Sequence, residues 1–340
     1  MNRRIFLHGK EGNGWSIDAD RAHVESFLRK EGLKTTSNLF LADAVHSVWW
    51  SSLLGRRNWL IRLKSRILAT ATNQISPDDP KFQRLKGSVA LWVAPSRRQL
   101  TVFSEAGVRA EYQPFRVDGA VFHKLGLTRE EIAEKLGLPW ERCSGRFLIG
   151  SFQRDTLGKD LVSPKWQKGP DTLLEILTHL PGKDRWLLLL AGPRRHYMLS
   201  ECRRRGIPYL LAGREPIPGE DDMASNSLSQ DRMALLYNLI HCYVVSSVSE
   251  GGPKAIPEAM LCGTAIISTD VGFASDFLPP ERIYNTPEEG REMLAAMMDK
   301  AGNPETESVV AAYLHLHESY SEDAFRKRWF HIYHTLFEGL

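Results

Sequence analysis

Two glutamates, Glu250 and Glu258, stand in the segment SEGGPKAIPEAMLCG, which carries the clearest chemical pattern of the chain. The two glycines that follow Glu250 would let backbone N–H groups approach a ligand, and the start of the next helix would present unpaired donors to an anion. Carboxylate oxygens accept hydrogen bonds from the hydroxyls of sugars and ribose. The segment therefore predicts a site for a phosphate-bearing, hydroxyl-rich ligand. Taken alone, the pair could equally be a loop residue and a residue one to two turns into a surface helix.

A glycine-rich loop, HGKEGNGWS, follows the first predicted strand. Such loops bind phosphate in dinucleotide folds, but the spacing here is not G-x-G-x-x-G, so the loop alone is a weak signal. It offers Gly12, Asn13, Gly14 and Trp15 to a ligand. Asp18 is either the N-cap of the following helix or a contact to an acceptor.

The elements that must position these residues follow from the hydrophobic pattern. Short apolar runs alternate with amphipathic segments of helical length, which predicts βαβ units and parallel sheets. Strands are predicted at 4–8, 44–48, 66–72, 89–94, 111–119, 146–151, 186–191, 209–212, 242–246 and 265–268. Helices are predicted near 18–31, 50–64 and 96–106, from Thr128 onward, and as one or two terminal helices over 307–338.

The length of 340 residues is more than twice the ~150 residues of an average domain, so two domains are expected. We place the first, a short Rossmann-like domain, at 1–120. A second Rossmann-like domain spans 121–320. Residues 321–340 are predicted to form a helix that packs back on the first domain.

Composition and charge exclude several classes of protein. Hydrophobic residues make up 42% and charged residues 25%, as in ordinary globular proteins, and a net charge of +3 does not demand a nucleic-acid partner. The four cysteines lack metal-ligand spacing, which predicts reduced, buried thiols. No apolar run is long enough to span a bilayer, and MNRR leads directly into a strand rather than into the apolar core of a secretory signal. We expect a cytoplasmic protein.

Basic residues cluster in the Trp49–Arg66 stretch, which reads as an amphipathic helix with a cationic side. Two interpretations stay open. The cations form a solvated helix face, or they meet an anionic lipid or acceptor in peripheral contact with the inner face of a membrane.

Residues 250–263 resemble the Glu-x7-Glu signature of retaining glycosyltransferases of the GT-B fold, particularly glycosyltransferase family 4. The resemblance includes the trailing Glu-Ala-Met-x-x-Gly and the apolar strand after it. It implies that Glu250 lies beside the donor sugar hydroxyls and that Glu258 holds the nucleotide ribose. It also implies that the amides of Gly251 and Gly252 approach the sugar and the distal phosphate.

The donor-binding segment continues through Pro253 and Lys254. Here the sequence departs from the family, since Gly-Gly-Pro-Lys stands where Gly-Phe-Gly-Leu is commoner. The resemblance therefore does not specify the donor sugar. It does imply a GT-B architecture, in which two Rossmann-like domains with parallel sheets face one another across a cleft. The first domain, 1–120, would then lie on the acceptor side, and the second, 121–320, would bind the nucleotide sugar.

The family also places an arginine and a Lys-Gly pair where they clamp the donor diphosphate, and Arg154 and Lys168 resemble these elements. Cations at this place neutralise the charge that develops on the departing diphosphate. The loop between them is longer than usual, so Lys159 and Lys165 compete for the role. We favour Lys168 because only it keeps the Lys-Gly pair at the start of a helix.

In the first domain, the sequence DAVH ending at His46 resembles the family's Asp-Val-x-His strand end. The resemblance implies that the imidazole points at the reacting sugar, although a lone histidine at a strand end is more often structural. The family's equivalent of the loop at residues 12–15 faces the cleft and meets donor and acceptor.

The implied reaction transfers a glycosyl group from a nucleoside diphosphate sugar to an acceptor hydroxyl with retention of configuration. Acceptors in such a family are often surface polysaccharides, glycolipids or small molecules. No cofactor and no catalytic metal are expected, because the cations and the helix dipole can stabilise the leaving group. Two alternatives remain, a sugar-nucleotide epimerase of similar fold and a catalytically silent binding protein.

Overall fold

The computed structural model describes residues 3–10, 12, 16–299 and 307–338. Its backbone divides into two compact units. Unit 1 comprises residues 1–116, 250–252 and 318–340, and unit 2 comprises residues 117–249 and 253–317. Each unit contains one sheet and the helices that cover it.

Unit 1 is built on a six-stranded parallel sheet with the order β2-β1-β3-β4-β5-β6. This is the doubly wound order in which the strand sequence reverses between β1 and β3. The strands are β1 (Arg4–His8), β2 (Lys34–Thr35), β3 (Ala44–Ser47), β4 (Ile67–Thr70), β5 (Leu91–Ala94) and β6 (Ala110–Tyr112). The helices are α1 (Ser16–Lys30), α2 (Pro80–Leu85), α3 (Arg97–Glu105) and, from the C-terminus, α14 (Glu322–Glu338).

The sheet of unit 1 is covered on both faces by large apolar side chains. On one face, α1 and α14 meet, and the rings of Phe27 and Tyr333 stack with centroids 5.9 Å apart. On the other face, Trp92 is fully buried against Phe82 and Phe103. The C-terminal helix is therefore part of the core of unit 1.

Unit 2 is a second six-stranded parallel sheet with the order β12-β11-β10-β7-β8-β9. This is the Rossmann order, and the strand sequence reverses between β7 and β10. The strands are β7 (Phe147–Ser151), β8 (Trp186–Ala191), β9 (Tyr209–Ala212), β10 (Cys242–Val245), β11 (Ala265–Thr269) and β12 (Ile283–Tyr284). The helices are α4 (Arg129–Leu136), α5 (Trp140–Cys143), α6 (Pro170–Thr178), α7 (His196–Arg205), α8 (Met223–Asn226), α9 (Gln230–Leu239), α10 (Ala255–Leu261), α11 (Ala274–Phe277), α12 (Pro287–Asp299) and α13 (Glu307–Ser319).

Local chemistry explains where the elements of unit 2 begin and end. Every residue of β8 is buried, as its unbroken apolar run requires in a sheet covered on both faces. Thr128 and Glu131 form a capping box at the start of α4, and Gly137 ends that helix in the left-handed conformation.

The two parallel α/β sheets confirm the predicted fold class. The predicted helix over 50–64 is wrong, because the structure has three short 3-10 turns there, Trp50–Leu54, Arg56–Asn58 and Ile61–Leu63. Polar side chains compete for the backbone groups that a helix would use. The Ser52 hydroxyl donates to the Trp49 carbonyl at 2.6 Å, and Asn58 Nδ2 donates to the Ser52 carbonyl at 2.7 Å.

Among the described residues, no helix is both long enough and apolar enough to cross a bilayer.

Candidate donor site

In unit 2, the residues that are predicted to bind the donor lie where β7 and β10 end. In a Rossmann order, this reversal point is where ligands bind, at the carboxyl ends of the strands. Gln153, just beyond β7, donates from Nε2 to the Lys168 carbonyl at 2.9 Å. Ser246, just beyond β10, donates from Oγ to the same carbonyl at 3.1 Å. The backbone of Lys168 is thus fixed at the reversal point.

Steric constraints explain why glycine follows Lys168 in the Lys-Gly pair. Gly169 has a φ of +55°, and a Cβ at this position would collide with the carbonyl oxygen of Ser246. Only glycine allows this close approach together with this conformation. Pro170 then begins α6, a position at which proline is well tolerated.

The long loop between Arg154 and Lys168 folds back on itself. The Lys165 amide donates to the Asp155 carbonyl at 2.6 Å, and a short antiparallel bridge joins Leu157 to Asp160 inside the loop. Lys159 is exposed at this excursion, whereas the side chains of Arg154, Lys165 and Lys168 are half-buried. The extra residues therefore leave the main path of the chain without separating Arg154 from the Lys-Gly pair.

Glu258 lies in the first turn of α10, not one to two turns into the helix, because α10 begins only at Ala255. The Tyr237 hydroxyl donates to Glu258 Oε2 at 2.9 Å. Burial raises the pKa of the Glu258 carboxyl, while the Tyr237 hydrogen bond and the cation of Lys254 act in the opposite direction. Lys254 occupies the N-cap of the same helix.

An aromatic cluster supports both Glu258 and the chain that enters Arg154. The Tyr237 ring lies 5.4 Å from that of Phe152 and 5.3 Å from that of Tyr243, between centroids. The Phe152 amide donates to the Tyr243 hydroxyl at 3.2 Å. The predicted ribose-binding carboxylate and the predicted diphosphate cation therefore stand on one packed support.

The sequence did not reveal a buried ion pair beneath the Lys168 loop. Arg195 Nε lies 3.3 Å from Asp155 Oδ2, with both side chains at most 2% exposed, and Arg195 Nη2 donates to Ser151 Oγ at 3.0 Å. Burial raises the pKa of Asp155 to about 6, against the opposing cation of Arg195. The Tyr197 amide, at the start of α7, donates to Asp155 Oδ1 at 3.1 Å. A signal did exist, since GPRR directly follows β8 at the same carboxyl edge.

Residues 250–252 belong to unit 1, whereas Glu258, Arg154 and Lys168 belong to unit 2. A Cβ at Gly251 would lie 2.7 Å from the carbonyl oxygen of Thr72, so this position needs glycine for close backbone packing. The side chain of Glu250 is half-buried. Gly252 is half-buried and Pro253, where the chain returns to unit 2, is buried.

His46 is a core residue of unit 1 in this structure. It is fully buried, its Nδ1 lies 2.7 Å from the Tyr333 hydroxyl, and its Nε2 lies 3.0 Å from Thr70 Oγ1. Burial lowers the pKa of the imidazole to about 3, with a further contribution from the charge of Arg21. Both ring nitrogens are therefore engaged by unit 1 itself, and the role of His46 at the reacting sugar stays a prediction.

The glycine-rich loop is only partly described. Gly12 is exposed, and Asn13, Gly14 and Trp15 lie outside the described residues. Asp18 is half-buried in the first turn of α1 rather than at its N-cap, because the helix begins at Ser16.

The cysteine prediction is confirmed, since Cys143, Cys202, Cys242 and Cys262 are buried and free. Within residues 3–10, 12, 16–299 and 307–338, no three His, Cys, Asp or Glu side chains gather as a metal site would.

Comparison with known proteins finds one matching family model. Residues 160–300 match the family model of glycosyl transferases group 1. The matched part contains Lys168, Lys254 and Glu258, and also Glu250. No curated protein matches the sequence.

Solved structures of glycosyltransferases share the fold over the whole chain. Anabaena Alr3699/HepE, in complex with UDP and glucose, superposes with a TM-score of 0.71 at 14% identity over 100% of both chains. Sucrose-phosphate synthase from Thermosynechococcus elongatus gives 0.72 at 13% identity, also over 100% of both chains. Trehalose 6-phosphate synthase from Burkholderia multivorans gives 0.67 at 11% identity over the same coverage.

These matches confirm the predicted resemblance to glycosyltransferases of the GT-B fold. Assignment to family 4, the Glu-x7-Glu signature and the roles of individual residues stay predictions.

Proposed function

We propose that the protein is a retaining, metal-independent glycosyltransferase that moves a sugar from a nucleoside diphosphate sugar to an acceptor hydroxyl. The observation that carries the proposal is the match of residues 160–300 to glycosyl transferases group 1, in a unit whose predicted donor residues meet at the sheet reversal point. Structures of HepE with UDP and with UDP-glucose share the fold, so uridine nucleotides are the first donors to test.

In this proposal, the diphosphate binds to unit 2. Arg154 and Lys168 neutralise the charge that develops on the leaving phosphate, and the backbone fixed by Gln153 and Ser246 sets the position of Lys168. Lys159 is the weaker candidate, because it is exposed on the loop excursion.

The nucleoside binds beside Glu258, whose carboxylate accepts the ribose hydroxyls. Its Oε2 already accepts the Tyr237 hydroxyl, which orients the carboxylate and leaves Oε1 for the ribose. Burial raises the pKa of this carboxyl, and the Tyr237 hydrogen bond and the cation of Lys254, at the start of the same helix, oppose that shift.

The sugar is held by Glu250 and by the amides of Gly251 and Gly252. During transfer, the bond from the anomeric carbon to the phosphate oxygen breaks and a bond to the acceptor oxygen forms on the same face. The acceptor proton passes to the leaving phosphate. No protein nucleophile is needed, so these residues stabilise the transition state rather than donate or accept the proton.

The acceptor is a glycan, a glycolipid or a small molecule, with surface polysaccharide or glycoconjugate synthesis as the setting on the cytoplasmic side. Gly12, Asn13, Gly14, Trp15 and Asp18 are proposed to meet it. Peripheral contact of residues 49–66 with a membrane is part of the proposal, because residues 44–77 carry five Lys or Arg and no Asp or Glu.

The test follows the slow hydrolysis of UDP-sugars by proton NMR, with EDTA present and without an acceptor. We expect the first-formed free sugar to keep the anomeric configuration of the donor. Lys168→Ala should reduce the rate at least tenfold, whereas Lys159→Ala, the matched control, should stay within twofold. Inversion of the anomer, or dependence on added metal, would overturn the mechanism. A sugar product with an inverted ring carbon other than the anomeric one would indicate an epimerase. UDP-sugar binding without turnover would indicate a silent binding protein.

A further inference from the structure

Two segments of unit 1 expose four large apolar side chains. Phe40 is 78% exposed and Leu63 is 72% exposed, and Leu41 and Trp59 are each 54% exposed. They belong to two separate segments, the 3-10 turn Leu39–Leu41 and the turns over residues 56–63.

The fold brings the two segments together at the amino ends of neighbouring strands. Leu41 lies three residues before β3 and Leu63 four residues before β4, and these strands pair in parallel. Lys64 Nζ donates to the Ala42 carbonyl at 3.0 Å, and Leu39 and Leu54 pack against the same core cluster. The exposed side chains therefore form one surface, which we call the basic apolar patch, residues 39–41 and 56–66.

Both segments are held rigidly beneath the exposed side chains. The Asn38 carboxamide accepts the Phe40 amide at 2.9 Å, and Arg62 Nη1 donates to the Leu53 carbonyl at 2.7 Å. The backbone beneath the apolar side chains therefore loses little conformational entropy when a partner binds.

The charged residues of the patch are all basic. Arg56 and Arg57 are exposed, and Arg62, Lys64 and Arg66 are half-buried. The carboxylate nearest in sequence is Asp43, which accepts the Arg4 amide at 2.8 Å. Aromatic and aliphatic side chains beside Arg and Lys are the composition of surfaces that lie in the interface of an anionic bilayer.

We propose that the basic apolar patch docks unit 1 onto an anionic phospholipid bilayer, with Phe40, Leu41, Trp59 and Leu63 inserted at the headgroup level. This inference deepens the membrane-contact part of the proposed function and does not depend on glycosyl transfer. A soluble polyanion would use the cations but would leave the four apolar side chains in water. A bilayer uses both.

The experiment measures binding of the 340-residue chain to vesicles by flotation. One set of vesicles contains phosphatidylcholine alone, and the other contains equal parts of phosphatidylcholine and phosphatidylglycerol. We expect binding to the anionic vesicles only, weakening as salt screens the charges. Arg56→Gln with Arg57→Gln should lower the partition coefficient about 25-fold, at about fivefold for each cation. Phe40→Ser with Leu63→Ser should lower it at least about tenfold.

Matched controls remove the same chemistry elsewhere. Lys81→Gln with Arg84→Gln removes two exposed cations of α2, and Ile217→Ser removes a side chain that is 60% exposed in unit 2. Both should bind as the wild type does. Arg62 and Lys64 are left unchanged, because their bonds to backbone carbonyls support the fold.

Several results would overturn the inference. Equal binding to neutral and anionic vesicles, or no binding to either, is one such result. Patch variants that bind like the wild type, or control variants that lose as much binding as the patch variants, are another. A concentration-dependent dimer that the Phe40→Ser, Leu63→Ser variant dissociates would assign the surface to a second copy of the chain. UDP binding measured on the same preparations separates failure of this inference from failure of the proposed activity.

Discussion

His46 Nδ1 and the Tyr333 hydroxyl lie 2.7 Å apart, although 287 residues separate them in the sequence. The contact joins the third strand of unit 1 to the C-terminal helix inside a fully buried environment. The histidine that the sequence assigns to the reacting sugar thus joins β3 to the C-terminal helix in this structure.

Removal of the Tyr333 hydroxyl should destabilise unit 1. In Tyr333→Phe, one ring nitrogen of the fully buried His46 loses its partner, which costs about 1–3 kcal/mol of unfolding free energy. Urea unfolding followed by tryptophan fluorescence measures the loss. Phe330→Leu, at a side chain of the same helix that is 57% exposed, is the control and should change stability by less than about 0.5 kcal/mol. Equal effects of the two substitutions would contradict the buried hydrogen bond.

Acid should destabilise the protein through its buried histidines. Burial lowers the pKa of His46 to about 3 and that of His241 to about 4, whereas an unfolded histidine has a pKa of about 6.5. The unfolded chain therefore binds these protons first, and stability is lost as pH falls below about 6.5. At pH 5, each of these histidines lowers the free energy of unfolding by about 2 kcal/mol relative to its value well above pH 6.5.

The variant His46→Gln tests this assignment through the pH slope rather than through absolute stability. Between pH 6 and 4, the slope of unfolding free energy against pH should decrease by up to about 1.4 kcal/mol per pH unit. His123→Gln, at an exposed histidine, should keep the wild-type slope. An unchanged slope in His46→Gln would mean that His46 is protonated at similar pH in the folded and unfolded states.

Loss of the Asp155 charge should be costly. In Asp155→Asn, the guanidinium of Arg195 stays 1% exposed without an opposing charge, a change that typically costs 3–5 kcal/mol. The double variant Asp155→Asn, Arg195→Met removes both charges and should recover much of the stability. Thermal unfolding of both variants measures the difference, and a double variant less stable than the single one would refute a simple ion pair.

Loss of the Tyr237 hydroxyl should weaken donor binding without slowing transfer. In Tyr237→Phe, Glu258 loses its orienting hydrogen bond, so the donor KM should rise about threefold to tenfold with kcat nearly unchanged. Steady-state kinetics with the active UDP-sugar provides the measurement. A fall in kcat at constant KM would place Glu258 at the reacting centre instead of at the ribose.

The sheet framework could be predicted from the sequence because fully buried parallel strands read as unbroken apolar runs. The prediction of β8 is correct to the residue for this reason. The edge strand β2 consists of two exposed polar residues, Lys34 and Thr35, and gives no such signal. Periodicity also failed over residues 50–63, where serine and asparagine side chains bond to the backbone and divide an apparent helix into turns.

Local sequence patterns identify candidate site residues that are close in sequence, but not pairs that only tertiary packing brings together. Lys168 and Gly169 stand out because the fold needs a left-handed glycine there. The pair of Asp155 with Arg195 and the burial of His46 depend on partners brought together by tertiary packing, and no local pattern encodes them.

The most direct test of the donor site is the thermal stability of the wild type and of Glu258→Ala with a panel of nucleoside diphosphates and their sugar conjugates, with and without EDTA. A nucleotide at a hundredfold excess over Kd should stabilise the folded protein by about 2.7 kcal/mol. We expect that one class of base raises the unfolding temperature of the wild type, that EDTA leaves this increase unchanged, and that Glu258→Ala loses it. No shift with any nucleotide, or an equal shift in Glu258→Ala, would contradict a donor site built around Glu258.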